Sequence, residues 1–142
     1  MPPRRPPSAL RAVTIHSLAD ALAALEAGAA VGRPVILLSA AGAAAYAGAG
    51  WFAAVIGRAR QQWPAVDAIA MLDCGDRAEL AQGALRAGLT DIVFTGPRGV
   101  AARLADIAGQ SGARLHRKRP ASLDLANEPD PPAACRAWLG RG

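Results

Sequence analysis

Few residues in this 142-residue chain can carry metal or disulfide chemistry, since it has two cysteines, two histidines and a single lysine. Cys74 and Cys135 lie far apart, and no CxxC or Cys/His spacing typical of a zinc site occurs. Two cysteines in a chain long enough to build its own core indicate free thiols in a reducing compartment. We therefore expect a cytoplasmic protein without a metal site.

Long apolar runs are also missing. No stretch of about twenty apolar residues occurs, as a membrane-spanning helix would require. The charged, proline-rich N-terminus is not followed by the apolar segment of a secretory signal. We expect neither a signal peptide nor a membrane partner.

Aromatic residues make up only 4% of the chain, and its net charge of +5 is unevenly distributed. Residues 1–12 carry +3 and residues 114–119 carry +4, whereas residues 13–113 and 120–142 each carry −1. A nucleic-acid-binding domain shows a basic stripe on a folded face, with interleaved aromatic residues when it binds single strands. The charge distribution therefore argues against nucleic acid as a partner.

What the sequence does contain is a regular alternation of apolar segments and helical patterns. Apolar segments typical of strands lie at residues 13–16, 34–39, 68–72, 91–95 and 113–116. Helical patterns, several with capping residues and terminal glycines, fill the intervals. The alternation predicts an α/β protein, an open three-layer α/β/α sandwich of Rossmann-like or flavodoxin-like type around a mainly parallel sheet of four to five strands. We expect the first strand at an edge and the next three in the centre.

We predict a single α/β domain at residues 13–117 between two terminal segments. Residues 1–12 are predicted to be a flexible arm rich in proline and arginine. Residues 118–142 are interrupted by prolines and are predicted to form an extension whose short helix docks on the body or on a partner subunit. The alanine-rich composition and a mean hydropathy of +0.18 favour a homo-oligomer.

Polar residues gather where the predicted strands end. Ligands of open parallel sheets bind beyond the carboxyl ends of the strands. The candidate site residues at that edge are His16, Ser39, Gly42, Asp73, Cys74, Thr95, Gly96 and Arg98. We expect a small anionic metabolite there, and no motif identifies a cofactor.

Two segments are candidates for binding the anion. After the fourth strand, helix N–H groups, the Thr95 hydroxyl and Arg98 could hold a phosphate or carboxylate, with Gly96 and Pro97 shaping the turn. The alternative is a capped helix with a solvated arginine. The small-residue loop that begins at Ser39 and contains Gly42 allows a ligand close to the backbone, although it matches neither the dinucleotide fingerprint nor the P-loop. A tightly packed turn is the alternative there.

The catalytic candidates are His16, Asp73 and Cys74. His16 could act as a general base, and Asp73, at the end of a central strand, as an acid or base. Cys74 could be a nucleophile if a helix N-terminus stabilises its thiolate and a histidine is within reach. The alternatives are a half-buried histidine and a small buried thiol. Whether the protein is an enzyme of lyase or hydrolase type or a non-catalytic interaction module stays open.

Asp73 and Thr95 resemble the acid and the hydroxyl that end the third and fourth strands of receiver domains in two-component signalling. A receiver domain also needs a pair of acids after its first strand to bind magnesium, and this chain has His16 and Ser17 there. Phosphoryl transfer to Asp73 is therefore not expected.

Overall fold

A computed structural model of the chain describes residues 10–141. The strands are β1 (Arg11–Thr14), β2 (Val35–Leu38), β3 (Ala68–Asp73), β4 (Asp91–Val93), β5 (Arg114–His116) and β6 (Ser122–Asp124). The α-helices are α1 (Leu18–Val31), α2 (Ala49–Gln62), α3 (Ala78–Arg86), α4 (Arg98–Gln110) and α5 (Pro131–Leu139). Short 3-10 helices lie at Ala43–Ala45 and Leu125–Asn127.

The start of α1 illustrates how local sequence determines these elements. The Ser17 hydroxyl accepts a hydrogen bond from the Asp20 N–H at 3.1 Å, and the Asp20 carboxylate accepts the His16 N–H at 2.8 Å. These two side chains satisfy N–H groups that have no partner inside the helix. The cap also fixes the direction in which the chain leaves β1, and with it the position of His16.

All strand pairs in the described sheet are parallel, in the order β5-β4-β3-β2-β1-β6. The predicted α/β class and mainly parallel sheet are confirmed, with six strands where four to five were predicted. The additional strand, β6, comes from the C-terminal extension and pairs with β1. For this reason β1 lies inside the sheet and not at its edge, whereas β2, β3 and β4 are central as predicted.

The five α-helices pack on one face of the sheet. Strands β1 to β5 follow one another across the sheet in chain order, and right-handed crossovers then place every connecting helix on the same side. Helices α5, α1, α2, α3 and α4 accordingly form one row in which each contacts the next. All five contribute buried side chains to one apolar core with the strands. Since the strand order does not reverse between β1 and β5, these helices form one layer where the predicted sandwich has two.

The opposite face, which we call the inner face, carries a second and smaller apolar cluster. Its members are Ala12, Ile36, Leu38, Ile69, Met71 and Val93. None of them is more than 2% exposed, and Leu10 packs against them. The cluster contains no residue of the described helices, so its burial does not come from packing against a helix.

The connection from β5 to β6 shows that the sheet is strongly curved. Five residues separate His116 from Ser122, so their Cα atoms are at most about 21 Å apart. In a flat sheet, the five strand spacings between β5 and β6 would amount to about 24 Å. The two edge strands must therefore approach each other and enclose the inner face. Around this curve the strand order is the chain order, as in parallel α/β barrels, with a gap between β5 and β6.

The C-terminal extension packs on the body of the same chain. Helix α5 lies along α1 and buries Cys135 completely. The Trp138 indole N–H donates to the Ala12 carbonyl at 2.8 Å, and the Arg11 guanidinium lies over the indole ring. These contacts support β6 at its position beside β1.

Residues 1–9, most of the predicted arm, lie outside the described residues, and β1 already begins at Arg11. None of the helices described has the length and apolar character needed to cross a membrane. The predicted homo-oligomer and the cytoplasmic location stay predictions.

Candidate functional site

Polar side chains occupy the inner face near the carboxyl ends of the strands. The strand register places six of them on this face in two adjacent rows: Thr14, Asp73, Asp91, Arg114, His116 and Asp124. The curved sheet brings these rows toward the segment that links β5 to β6, which supplies further charged groups.

Arg119, from that linking segment, connects three strands. Its guanidinium donates to the Asp73 carboxylate and to the Thr14 hydroxyl, both at 3.0 Å. The Thr14 hydroxyl is in turn 2.7 Å from the Ser122 hydroxyl. Because Thr14 lies on β1, Asp73 on β3 and Ser122 on β6, Arg119 fixes the linking segment across the inner face.

Asp73 uses both carboxylate oxygens within this network. One accepts from Arg119 and the other from the Gly75 N–H at 2.8 Å. The Asp73 N–H donates to the Ser39 hydroxyl at 2.9 Å, and that hydroxyl donates to the Ala40 carbonyl. Asp73 and Ser39 thus hold the ends of β2 and β3 together, and any role in binding or catalysis stays a prediction.

Asp91 is the most deeply buried charged group described on the inner face, with a side-chain exposure of 0%. Its carboxylate lies 2.9 Å from His116 Nε2 and 3.3 Å from Arg114 Nε, and it accepts the Thr90 hydroxyl at 3.0 Å. A buried carboxylate is tolerated only when such partners compensate for its lost hydration. Arg114 is therefore its counter-charge, and His116 a second partner, on the neighbouring strand.

His16 and Asp124 form a second, more exposed pair. His16 Nε2 lies 2.6 Å from Asp124 Oδ1, and the side chains are 34% and 59% exposed. Desolvation raises the pKa of Asp124, but hydrogen bonds from the Ala126 N–H and His16, together with the charges of His16 and Arg119, outweigh it and lower the pKa below its ordinary value of 3.8. An ionised carboxylate only accepts hydrogen bonds, so the proton of this contact lies on His16 Nε2, and Nδ1 is an acceptor whenever the ring is neutral.

A cavity of about 130 Å³ lies beside this histidine, beyond the ends of β1 and β2. Its walls are mainly apolar and consist of Ile15, His16, Ala40, Ala43, Tyr46, Ala47 and Trp51. Gly42, at φ +65° before the 3-10 helix, allows the turn that places Ala43 there. Gly42 therefore shapes the loop, and contact of its backbone with a ligand stays a prediction.

The connection between β4 and α4 is rigidly held. Arg117 donates to the Phe94 and Gly96 carbonyls at 2.8 and 2.7 Å, and the Thr95 N–H donates to the Gly75 carbonyl at 2.8 Å. A Cβ atom at position 96 would clash with the Phe94 ring. Only glycine therefore fits at position 96 in this conformation.

Helix α4 begins directly after this connection. Pro97 occupies its N-cap position, and no side chain caps its first N–H groups. Thr95 and Arg98 are exposed beside them. The connection therefore presents unpaired N–H groups, a hydroxyl and a guanidinium at one end of the sheet.

Cys74 has the environment of a structural thiol, which contradicts its predicted role as a nucleophile. It is 1% exposed, and burial, followed by the charge of Asp73, raises its pKa to about 12. The thiol therefore stays protonated at neutral pH. In addition, β2 separates β1 from β3, so His16 and Cys74 do not lie on neighbouring strands.

The structure divides the remaining predicted residues between two parts of the carboxyl edge. Asp73 lies beside Ser39, and Thr95 is attached to the same region through Gly75. His16 lies on the other side of β2, in the region that includes the 3-10 loop and β6. One pocket shared by His16, Asp73 and Thr95 is not observed among the residues described.

Sequence reasoning missed several polar partners. Asp91 carried a signal, because an acid that opens an otherwise apolar strand needs counter-charges. Arg114 and His116 are two residues apart and so lie on the same face of a strand, which identifies them as candidates. Arg119 and Asp124 carried no such signal, since they lie in the proline-interrupted extension without a strand pattern.

A metal site needs several donor side chains close together. Within residues 10–141, no three His, Cys, Asp or Glu side chains form a group that could hold a metal ion. The His–Asp pairs described above each join one histidine to one carboxylate, and arginines occupy the adjacent positions.

The chain was compared with known proteins. A family model described as fructose-bisphosphate aldolase class-II matches residues 4–98, about two thirds of the chain. The matched region includes β1 to β4 and extends to the first residue of α4. A search of curated proteins found no significant match. On the basis of the family match, the chain belongs to the class-II fructose-bisphosphate aldolase family.

Proposed function

We propose that the protein binds a small phosphate-bearing metabolite at the carboxyl edge of its sheet, with the β4–α4 connection as the phosphate-holding part. The family supports this ligand class, since its name is that of an enzyme acting on a sugar bisphosphate. The family match extends to Arg98 and so includes the connection between β4 and α4.

The observation that carries the proposal is the combination of a fixed loop with an uncapped helix start. Arg117 holds the carbonyls on both sides of Thr95, so the backbone before α4 is already ordered without a ligand. The first N–H groups of α4 have no side-chain cap, and the helix dipole favours an anion at this end. A preorganised site of this kind loses little conformational entropy on binding.

The neighbouring side chains supply matching charge. Arg98 is exposed at the first position of α4, where its guanidinium can reach a bound phosphate. Arg117 adds a second positive charge and occupies the Phe94 and Gly96 carbonyl oxygens, whose partial negative charge would otherwise oppose an anion. The Thr95 hydroxyl is a further donor on the same side.

Aldol cleavage requires more than this binding site. Aldol cleavage removes the proton of a β-hydroxyl group and breaks the Cα–Cβ bond, which leaves an enolate that a Schiff-base lysine or a divalent metal ion stabilises. The single lysine, Lys118, is exposed between β5 and β6, and the described residues form no group of metal ligands. Binding, and not cleavage, is therefore the function that the described residues support.

The proposal is tested by thermal denaturation and calorimetric titration with two probes, inorganic phosphate and fructose 1,6-bisphosphate. We expect either probe to raise the Tm of the wild-type protein, because a ligand that binds only the folded state stabilises it. Arg98→Ala removes a charge-assisted hydrogen bond and should weaken binding roughly tenfold.

Arg103→Ala is the matched control, since Arg103 is an exposed arginine of the same helix away from its N-terminus. This variant has the same net charge as Arg98→Ala and should bind both probes like the wild-type protein. Absence of binding by the wild-type protein, or equal weakening in both variants, contradicts the proposal.

A further inference from the structure

The cavity beside His16 is separate from the β4–α4 connection and has a different chemistry. Its volume of about 130 Å³ is close to that of a roughly 150 Å³ apolar cavity that binds benzene. Alanines form much of its wall, and Trp51 and Tyr46 stand at its outer side with exposures of 38% and 71%. A compact apolar molecule therefore fits its size and most of its lining.

The cavity persists because the loop is rich in small residues. Gly42 and Gly48 adopt positive φ angles of 65° and 86°, and the 3-10 helix Ala43–Ala45 lies between them. Alanine side chains at positions 43 and 47 end at Cβ and leave the space unfilled. The wall is tied down by hydrogen bonds from the Ala47 and Tyr46 N–H groups to the Ala43 carbonyl, at 2.8 and 3.2 Å.

His16 gives this apolar cavity a directional polar group. Asp124 accepts from Nε2 at 2.6 Å, so Nδ1 is the acceptor atom of the neutral ring. The His16 N–H is held by Asp20, which fixes the backbone of the same residue. The charged groups around the ring are therefore Asp124, Asp20 and, beyond Asp124, Arg119, with the Tyr46 hydroxyl as a further titratable group of the cavity wall.

From this arrangement we propose that the cavity binds a compact, mainly apolar molecule of about six to eight heavy atoms that carries one hydroxyl group, which donates to His16. The apolar body occupies the space under Trp51, and the hydroxyl meets the imidazole. Asp124 acts as a positioning residue, because it sets the tautomer and orientation of the ring without touching the ligand. This site does not depend on the proposed phosphate site.

The test uses phenol and toluene, two probes of nearly equal size that differ in the hydroxyl group. Their binding is measured by saturation-transfer NMR and by the Cε1–H chemical shifts of the two histidines. We expect phenol to shift the His16 resonance and to leave His116 unchanged, because His116 is paired with Asp91 elsewhere on the inner face. Phenol should bind roughly 2- to 10-fold more tightly than toluene, as one net hydrogen bond implies.

Two pairs of variants separate the cavity from its polar group. Ala47→Leu fills the cavity and should abolish binding of both probes, whereas Ala45→Leu, at an exposed position of the adjacent 3-10 helix, should not. His16→Phe should retain toluene binding and remove the preference for phenol. Asp124→Asn should reduce the preference for phenol. Circular dichroism should show that this variant keeps its fold.

Several results would overturn the proposal. These are binding of phenol that Ala47→Leu leaves intact, equal affinity of the wild-type protein for the two probes, and a shift of the His116 resonance in place of His16. A negative phosphate titration does not affect any of these measurements, so the two proposals fail separately.

Discussion

The two His–Asp pairs on the inner face have the same chemistry in opposite environments. Asp91 is fully buried and its partner His116 is 19% exposed, whereas Asp124 is 59% exposed and His16 34% exposed. The N–O distances are 2.9 and 2.6 Å. The more exposed pair therefore has the shorter N–O distance. This distance alone does not tell which pair contributes more to stability.

The two pairs differ in how much stability the fold would lose if each were broken. A carboxylate without solvent depends on its protein partners, so Asp91 requires His116, Arg114 and Thr90. Asp124 is hydrated whether or not His16 is present, and exposed ion pairs contribute little to the stability of the fold. The buried pair therefore holds β4 to β5, whereas the exposed pair is able to orient a histidine next to a cavity at small cost to folding.

Removing each carboxylate in turn tests whether burial distinguishes the two pairs. Asp91→Ala leaves a void and two basic groups without their counter-charge, and should lower the free energy of unfolding by about 3 kcal/mol. Asp124→Ala should lower it by about 1 kcal/mol or less, mainly because Asp124 also accepts the Ala126 N–H. Urea denaturation measures both, and losses of equal size would show that burial does not distinguish the two pairs.

Arg119 lies between the two regions, and among the described contacts it touches neither histidine. Arg119→Ala removes the charged partner of Asp73, which is 4% exposed, and should lower the free energy of unfolding by about 2 kcal/mol. Lys118→Ala, at the exposed neighbouring position, should change it by less than about 0.5 kcal/mol.

The same denaturation series checks this result. If Arg119→Ala and Lys118→Ala lower the free energy of unfolding equally, the contact with Asp73 does not hold the linking segment in place over the inner face.

The fold around the two His–Asp pairs could be predicted only in part from the sequence. The alternation of apolar strands and capped helices was sufficient for the α/β class and the parallel sheet, because that pattern is local. The position of β6 was not predictable in this way, since Ser122–Asp124 is three residues long and follows prolines. Its pairing with β1 depends on contacts across most of the chain, such as Trp138 with Ala12.

The same limit applies to the candidate site. Asp73 and Thr95 were correctly located at strand ends, since strand ends follow from local pattern. The partners of His16 and Asp73, which are Asp124 and Arg119, lie more than 40 positions away in sequence. Their identity depends on the curvature of the sheet, which follows from the short β5–β6 connection only once the strand order is known.

The exposed pair should make stability depend only weakly on pH. The pKa of Asp124 is lowered in the folded protein from its ordinary value of 3.8. The folded state therefore binds this proton less readily than the unfolded state, and the ionised carboxylate stabilises the fold above about pH 3.8. That stabilisation is lost as the pH falls from 3.8 through the lower folded pKa.

Asp124→Asn keeps the shape of the side chain and the bond from the Ala126 N–H, so it isolates the charge. The difference in unfolding free energy between wild type and variant should be less than about 1 kcal/mol at neutral pH, and smaller in high salt because the pair is exposed. It should decrease toward zero in acid, as measured by urea denaturation at a series of pH values. A difference that grows as the pH falls below about 3.8 would mean that protonated Asp124 is the stabilising form, and the assignment of the proton to His16 Nε2 would then be wrong. The proposed role of Asp124 in positioning the His16 ring therefore depends on the direction of this pH dependence.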